Sequence, residues 1–262
     1  MTKKKSGNEL SIEQKYQYYE ATVQNVETDI EFIEKEFRKI FKKTPHHLRE
    51  DFGGTGALAC EWVKRDRDNT AVAVDLDPEP IEYGKKRHYS KLTEKEQERM
   101  RYLQANVLDD VDFQTDVVVA FNFSYFILKR RQDLVKYFTK VRESLKEEGA
   151  FFLDIFGGTE CRQELEEETD YDDYVYYWDC DKYNPITGET TYFIHFEDKK
   201  KNTKYDRVFS YEWRFWNMPE VLDILRDAGF SEIKTYWEGD DDDGGGDGEF
   251  YESSEEDNCD SW

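Results

Sequence analysis

The stretch Glu50-Asp51-Phe52-Gly53-Gly54-Thr55-Gly56 is followed by Asp75, nineteen residues after its last glycine and at the end of the apolar run 71–74. A strand, a glycine turn that opens a helix, and a second strand that ends in a carboxylate have this spacing. Glycines admit positive φ and let the backbone approach a ligand closely. The pattern therefore predicts a parallel α/β sheet that binds a nucleoside-containing cofactor through its ribose.

Hydrophobic runs and helix signals alternate outward from this stretch in the order that such a sheet requires. They predict an α/β fold with a doubly wound, mostly parallel Rossmann-like sheet. Helical spacing from Ser11 predicts an N-terminal helical cap over residues 1–44, divided into two helices near Asn25. The cofactor-binding core follows over residues 45–158, and its predicted strands are 47–52, 71–75, 101–107, 116–121 and 150–156.

The periodicity changes to two after the fifth strand. Strands at 174–181, 190–197 and 207–216 predict an antiparallel three-stranded lid inserted over residues 159–216. Residues 217–238 are expected to complete the core with a helix that Asn217 and Glu220 cap, followed by a strand. Residues 239–262 hold eleven acidic side chains and no Lys or Arg, which predicts a solvated, flexible segment and not a metal site.

Composition narrows the ligand classes. A net charge of -23 and a pI near 4.6 disfavour nucleic acid and favour a small-molecule substrate. Aromatic residues make up 16% of the chain and crowd between 171 and 216, which predicts a pocket there. The four cysteines form no metal or disulfide pattern, and no apolar run approaches the length of a membrane span, so we expect a cytoplasmic, metal-free protein. The sequence does not indicate an oligomeric state.

Four segments in order resemble motifs of the class I S-adenosylmethionine-dependent methyltransferase family, in its small-molecule type. The resemblance extends over nearly the whole chain and implies methyl transfer from S-adenosylmethionine to a nitrogen or oxygen. A carboxylate-bearing acceptor is our preference within that class. The four segments are the glycine turn, Asp75-Leu76-Asp77-Pro78, Gln104-Ala105-Asn106-Val107-Leu108 and Asp227-Ala228-Gly229-Phe230.

The resemblance also implies roles for individual residues. Glu50 aligns with the acid near the methionine part of the cofactor, above the turn glycines Gly53, Gly54 and Gly56. Asp75 is expected to bind the ribose, Leu76 to cover the adenine, and Asn106 with the Val107 backbone to bind the adenine edge. Two departures are notable: Phe52 replaces the usual first glycine, so Asp51 is an alternative to Glu50, and Asn106 stands where aspartate is common.

Four further residues are candidates: Asn122 and Tyr19 for binding the cofactor, and His195 and Arg214 for catalysis. Asn122 follows the fourth strand and is expected to line the pocket beside the cofactor. Tyr19 lies on the first helix, where family members that resemble this chain fold aromatic side chains over the cofactor, although core packing is the alternative. His195 is a candidate base, or a structural histidine. Arg214 is a candidate clamp for a substrate carboxylate, or the partner of a neighbouring acid.

Two other functions are compatible with the same residues. Gly54-x-Gly56-x-x-Ala59 also satisfies the dinucleotide fingerprint, which would make the protein an NAD-dependent oxidoreductase. A non-catalytic protein that binds a basic partner through its acidic segment is the third possibility. The family's sheet normally ends with a seventh, antiparallel strand, so we expect either a short strand at Glu249–Tyr251 or a sequence that stops before it.

Overall fold

A five-stranded parallel sheet forms the core of the computed structural model, which describes residues 9–111, 113–240 and 246–253. The strand order β3-β2-β1-β4-β5 reverses between β1 and β4, which is the doubly wound arrangement. The predicted fold class is confirmed, and each of the five predicted core strands is present. The strands are β1 (His47–Asp51), β2 (Thr70–Asp75), β3 (Met100–Gln104), β4 (Thr115–Ala120) and β5 (Leu145–Leu153).

Helices cover both faces of this sheet because its strands are apolar on both sides. Val117 and Val119 of β4 face a cluster built with α2 and α3, whereas Val118 and Ala120 face a cluster built with α6 and α7. Among the described residues, none of the helices has the length and apolar character needed to cross a bilayer. The helices are α1 (Ile12–Val23), α2 (Val26–Phe41), α3 (Ala57–Arg65), α4 (Pro78–Arg87), α5 (Glu94–Gln97), α6 (Arg131–Ser144) and α7 (Met218–Asp227).

The inserted lid has four antiparallel strands, so the prediction of three was wrong. The strand missed is β6, whose residues are exposed and mostly acidic; acidic residues are depleted in strands, and the segment offers no apolar alternation. Its pairing with β7 is a tertiary interaction that local sequence does not indicate. In spatial order the strands are β6 (Leu165–Asp170), β7 (Tyr174–Tyr183), β8 (Glu189–Asp198) and β9 (Thr203–Arg214).

Residues after the core helix α7 form a separate two-stranded hairpin. Strand β10 (Tyr236–Asp240) pairs antiparallel with β11 (Gly246–Glu252), so part of the segment predicted to be flexible is a strand, and Glu249–Tyr251 lies within it. The hairpin packs on α2 through the rings of Phe32, Tyr236 and Phe250. This aromatic contact supplies the apolar burial that the acidic composition of the segment concealed. The other residues of the acidic segment that was predicted to be flexible, 241–245 and 254–262, lie outside the described residues.

Helix α1 lies between α4 and the lid sheet. Tyr16 packs against Tyr83 of α4 at 5.0 Å between ring centroids, and its hydroxyl donates to Glu79 at 3.0 Å. On the lid side, the Tyr18 ring stacks on Tyr174 at 4.6 Å. The cap therefore joins the parallel core to the antiparallel lid above the carboxyl ends of the strands.

Candidate active site

The glycine turn is held against β2 by backbone hydrogen bonds. The Gly53 N–H donates to the carbonyl of Val74 at 2.9 Å, and the Gly54 N–H donates to the Asp75 carboxylate at 2.7 Å. Gly56 has a φ of 65°, and a Cβ there would lie 2.6 Å from the ring of Tyr102. No other residue suits this position, because both the backbone conformation and the space demand glycine.

Phe52 adopts the left-handed conformation, with a φ of 54°. Glycine, the usual residue here in the family that the sequence resembles, reaches that region without strain, whereas phenylalanine does so at a cost of about 1 kcal/mol. Its ring packs edge-on against Tyr137 at 5.5 Å, a contact that offsets part of the cost. The departure from the family pattern thus leaves the turn closed.

Glu50 and Asp51 have different environments, which separates the two candidate acids. Asp51 is fully buried in a bidentate ion pair with Arg49, with both N···O distances 2.6 Å, and it also accepts from the Tyr137 hydroxyl at 2.8 Å. Glu50 points to the other side of β1, where it accepts from the Ala59 N–H at 3.0 Å. Burial raises the pKa of Glu50 to about 8. Asp51 is thus fully engaged inside the core, and Glu50 is the acid with remaining capacity for a ligand.

Glu50 also explains why residue 53 is glycine. A Cβ at Gly53 would lie 3.1 Å from the Glu50 carbonyl oxygen and 3.3 Å from its Cγ. A side chain at position 53 would therefore displace Glu50 from under the turn.

Asp75 and Leu76 present a carboxylate and an exposed apolar side chain at the end of β2. Asp75 is half-buried and accepts from the backbone N–H groups of Gly54 and Asp77, and burial raises its pKa. Leu76 is 64% exposed, one of the few large apolar residues of the described chain that is. An exposed apolar side chain next to a directed carboxylate is an arrangement suited to a nucleoside.

Asn106 and Val107 follow β3 in a tight turn. The Asn106 side-chain oxygen accepts from the Leu108 N–H at 2.9 Å, and its own N–H donates to Asp109. The Val107 side chain is buried in the core, which fixes the position of the backbone between two exposed neighbours. The asparagine at this position therefore shapes its turn, whatever it contacts in a ligand.

The end of β4 has two consecutive non-glycine residues in the left-handed region. Asn122 has a φ of 56° and Phe123 a φ of 55°. The Asp154 carboxylate at the end of β5 accepts from both of their N–H groups, at 2.7 and 2.9 Å, and offsets the strain. Burial raises the pKa of Asp154 to about 7. Asp154 thereby sets the position of Asn122, which lines the cavity described next.

A cavity of about 360 Å³ lies between this strand end, α1 and the inner face of the lid. Its size suits a small molecule. Asn122 and Phe123 form one side, Tyr19 contributes from α1, and the lid contributes side chains from all four strands. Those lid residues include Glu167, Tyr176, Trp178, Ile194, Tyr211 and Trp213.

Tyr19 of α1 contacts the lid at the edge of the cavity. It lines the cavity, and its ring lies 4.7 Å from that of Phe209 of the lid. Burial raises its pKa to about 12. The tyrosine is therefore neutral at physiological pH.

The structure does not bring His195 to the cavity. Ile194 lines the cavity, and successive strand residues face opposite sides, so His195 lies on the outer face of the lid. Its Nε2 lies 3.1 Å from Asp179, and its Nδ1 accepts from the Arg207 N–H at 2.9 Å. These contacts favour the structural interpretation over the catalytic one.

Three potential metal ligands, on Glu166, Asp179 and His195, lie within 4.8 Å of one another on that outer face. Because Nδ1 of His195 accepts a backbone N–H, the proton of the neutral ring belongs on Nε2, where a metal would have to bind. Lys204 also occupies Glu166, at 3.2 Å. We therefore interpret the group as a hydrogen-bond network.

Arg214 is likewise turned away from the cavity. Its guanidinium donates to Glu220 at 3.1 Å and lies 3.7 Å above the ring of Trp216. Strand β9 ends at Arg214, and Trp216, two residues later, is buried. Of the two predicted roles, pairing with a neighbouring acid is the one that the structure shows, and that acid is Glu220 of α7.

Comparison with known proteins adds to this geometry. Residues 51–153, which contain the glycine turn and the strand ends, match the family model of a methyltransferase domain. Residues 51–153 are thus a methyltransferase domain, so the protein is an enzyme, and S-adenosylmethionine is its cofactor. Of the functions that the sequence predicted, this match supports methyl transfer and gives no support to an NAD-dependent oxidoreductase or a non-catalytic protein. No protein of curated function matched the sequence.

Three solved structures with this fold are similar to the chain. A methyltransferase from Clostridium acetobutylicum ATCC 824 is 20% identical, with a TM-score of 0.66 over 83% of this chain and 87% of that one. DesVI from Streptomyces venezuelae is 16% identical, with a TM-score of 0.68 over 88% and 94%. CalS10 from Micromonospora echinaspora, described as an amino pentose methyltransferase, is 12% identical, with a TM-score of 0.66 over 89% and 94%. At these identities the likeness concerns the fold.

Sequence reasoning missed Glu167 and Thr169, which line the methyltransferase's cavity from β6. Nothing in the sequence identified that strand. Sequence reasoning gave no role to Asp154, although an acid directly after a buried strand is a signal for a role at the strand ends. The aromatic crowding between 171 and 216 did indicate a pocket, without specifying which rings face it.

Proposed function

We propose that this enzyme transfers the methyl group of S-adenosylmethionine to a nitrogen or oxygen of a small molecule that binds in the aromatic cavity. The observation that carries the proposal is the position of the cavity: Asn122, just after β4, and Tyr19 of α1 line it, so it opens at the carboxyl ends of the parallel strands, where Asp75 also lies. DesVI and CalS10 share the fold, and the latter is described as an amino pentose methyltransferase. Cys60 and Cys180 are buried free thiols, and we propose a cytoplasmic location.

In this proposal the strand ends hold the cofactor. Glu50 and the backbone at Gly53, Gly54 and Gly56 bind its methionine part, and Asp75 binds the ribose hydroxyls. Leu76 covers the adenine, and Asn106 with the Val107 backbone binds its edge. Asn122 and Tyr19 lie where the cofactor and acceptor sites meet.

The chemistry is an in-line displacement, in which the acceptor's lone pair bonds to the methyl carbon while the carbon–sulfur bond breaks and its electron pair passes to sulfur. The residues of the chain supply alignment and exclusion of water. Tyr19 and Tyr211 close the cavity on the side of α1, and Asn122 limits the approach of the acceptor on the other. We assign no general base, because an amine acceptor can lose its proton to solvent before transfer.

The test is calorimetric titration with S-adenosylmethionine and with NADH, followed by a labelled-methyl screen of small amines and alcohols. We expect S-adenosylmethionine to bind and NADH not to bind. Asp75→Ala removes a charged acceptor of two ribose hydrogen bonds, so we expect the affinity for S-adenosylmethionine to fall at least about 100-fold. Asp77→Asn is the matched control, because asparagine caps α4 as well as aspartate does. Equal affinities of the two variants for S-adenosylmethionine would contradict the site.

A further inference from the structure

The walls of the cavity are unusual in their chemistry. Seven of its thirteen lining residues are aromatic, and three of them form a corner: Trp178 lies 5.9 Å from Tyr211 and 6.2 Å from Trp213, and the last two lie 4.5 Å apart. Phe156 closes the corner at 6.3 Å from Trp178. Such a concave set of rings presents several negative faces to one ligand.

The charge of the cavity has one sign. Glu167 is the ionisable acid among the lining residues, and none of them is Lys, Arg or His. The tyrosines do not change this, because burial raises the pKa of Tyr19 to about 12 and that of Tyr211 well above its ordinary value. Asp154 and Asp75 lie close enough to affect Tyr19. A ligand carboxylate would therefore find no cationic side chain among the lining residues.

The outer face of the same sheet shows what its aromatic rings bind. There the Lys204 ammonium lies 3.7 Å from the centre of the Tyr177 ring, and the Arg207 guanidinium lies 4.2 Å from that of Phe193. Among the described residues, no lysine or arginine lies over a ring that lines the cavity. Lys15 lies 4.8 Å from the ring of Phe209, which packs against α1 but does not line the cavity. The rings that line the cavity therefore lack the cations found over other rings of the same sheet.

We propose that the cavity binds its acceptor as an alkylammonium cation, held by the faces of Tyr176, Trp178 and Tyr211 and by the carboxylate of Glu167, and that the bound ammonium releases its proton to solvent before its lone pair attacks the methyl carbon. This inference rests on the proposed function and specifies its substrate class as amines and their methylated products. It replaces a carboxylate-bearing acceptor, because Arg214, the predicted clamp, is paired with Glu220 outside the cavity. The net charge of -23 favours the approach of such a cation.

The test compares two probes of nearly equal shape, choline and its neutral carbon isostere 3,3-dimethyl-1-butanol. Both are titrated into the full chain and observed by saturation-transfer NMR. Cation–π contacts at a desolvated site contribute about 2 kcal/mol, so we expect choline to bind at least about 10-fold more tightly. Equal binding, tighter binding of the alcohol, or no binding of choline would each overturn the inference.

Substitutions separate charge from shape. Glu167→Gln should weaken choline binding about 3-fold or more, whereas Glu168→Gln, on the same exposed strand but the opposite face, should not change it. Tyr176→Leu should weaken choline binding about 5-fold, and Tyr176→Phe, which keeps the ring, should recover most of that loss. If leucine and phenylalanine at residue 176 behave alike, the ring face is not the binding group.

S-adenosylmethionine affinity is measured on the same samples. Its absence in the unmodified chain would end the proposed function itself. Normal S-adenosylmethionine affinity combined with no preference for choline would leave the proposed function intact and reject only the amine class. Glu167 is exposed on an edge strand, so we expect its substitution to leave the fold intact. The Glu167→Gln variant therefore still tests the inference if the Tyr176→Leu variant fails to fold.

Discussion

The carboxyl edge of the parallel sheet and the inner face of the lid enclose one reaction space, yet they use different chemical groups. The parallel sheet offers backbone N–H groups and carboxylates in fixed directions, such as Asp75 bonded to Gly54 and Asp154 bonded to Asn122. The lid offers aromatic surface with a single carboxylate, Glu167. Directed hydrogen bonds are specific for one ligand, whereas an aromatic surface with one carboxylate discriminates mainly by the size and charge of the ligand. In the proposed function, the parallel sheet binds the cofactor and the lid determines which acceptor is bound.

The largest effect we predict is on the stability of the parallel sheet and its helices, which we call the cofactor half; the four-stranded lid is the other half. Asp51→Asn breaks the buried ion pair with Arg49 and leaves a buried guanidinium without its partner, which should lower the free energy of unfolding by about 3–5 kcal/mol. Chemical denaturation followed by circular dichroism and by tryptophan fluorescence measures it. Tyr137→Phe is the control, because it removes one hydrogen bond to Asp51 and should lower stability by about 1 kcal/mol.

The two optical signals also test whether the halves are separate in stability. Far-ultraviolet dichroism reports the core helices, and Trp178 and Trp213 contribute fluorescence from the lid. Coincident transitions in the Asp51→Asn variant would mean that the halves unfold together. If the fluorescence midpoint of the lid is the same as in the unmodified chain, the lid and the cofactor half unfold independently.

The second prediction concerns Asp154, where the halves meet. In Asp154→Asn the amide NH₂ faces one of the two N–H groups that the carboxylate accepts from, so one donor is left unpaired at a cost of about 1–3 kcal/mol. We expect the Asn122–Phe123 turn to loosen, raising the KM for the acceptor more than the Kd for S-adenosylmethionine. Unchanged kinetics with lowered stability would confine Asp154 to a structural role.

The third prediction uses the protonation of Glu50. Its pKa in the folded protein is about 8, against an ordinary 4.5, because the carboxyl is buried. Near neutral pH the folded protein keeps a proton that the unfolded chain releases, so stability falls as the pH rises from 4.5 to 8. Glu50→Gln should make that decline shallower in denaturation measured across this range, and an unaltered decline would mean that Glu50 is charged in the fold.

Binding of a cation beside Glu50 should expel the same proton. Titration of S-adenosylmethionine in buffers of different ionisation enthalpy at pH 7 should show release of about one proton, and the Glu50→Gln variant should show none. This linkage belongs to the cofactor half alone, so choline should not reproduce it.

The smallest predicted effect is at the helical cap. Tyr16→Phe removes the hydroxyl that donates to Glu79 but keeps the ring stacked on Tyr83. We expect a loss of about 1 kcal/mol and little change in affinity for either ligand, measured by thermal unfolding and calorimetry. A large loss of S-adenosylmethionine affinity would mean that α1 contacts the cofactor as well as the lid.

The sequence predicted the cofactor half better than the lid, and the reason is physical. The glycine turn and Asp75 follow from local rules, because positive φ and a strand-end carboxylate are properties of short segments. The orientation of His195 and Arg214 depends on the pairing of strands distant in sequence, and β6 on a partner that its own acidic residues do not indicate. Phe52 shows the limit of motif reasoning, because its left-handed backbone depends on Tyr137, 85 positions away.

The hairpin β10–β11 has a consequence for the order of folding. Its Tyr236 hydroxyl donates to Glu36 across 200 residues, and Lys35 pairs with Glu249 across 214. During synthesis α2 emerges first and exposes the face on which Phe32 lies until the hairpin arrives. The packing on that face is therefore completed after the whole core and lid have left the ribosome, which makes it a late step with a high loop-closure entropy.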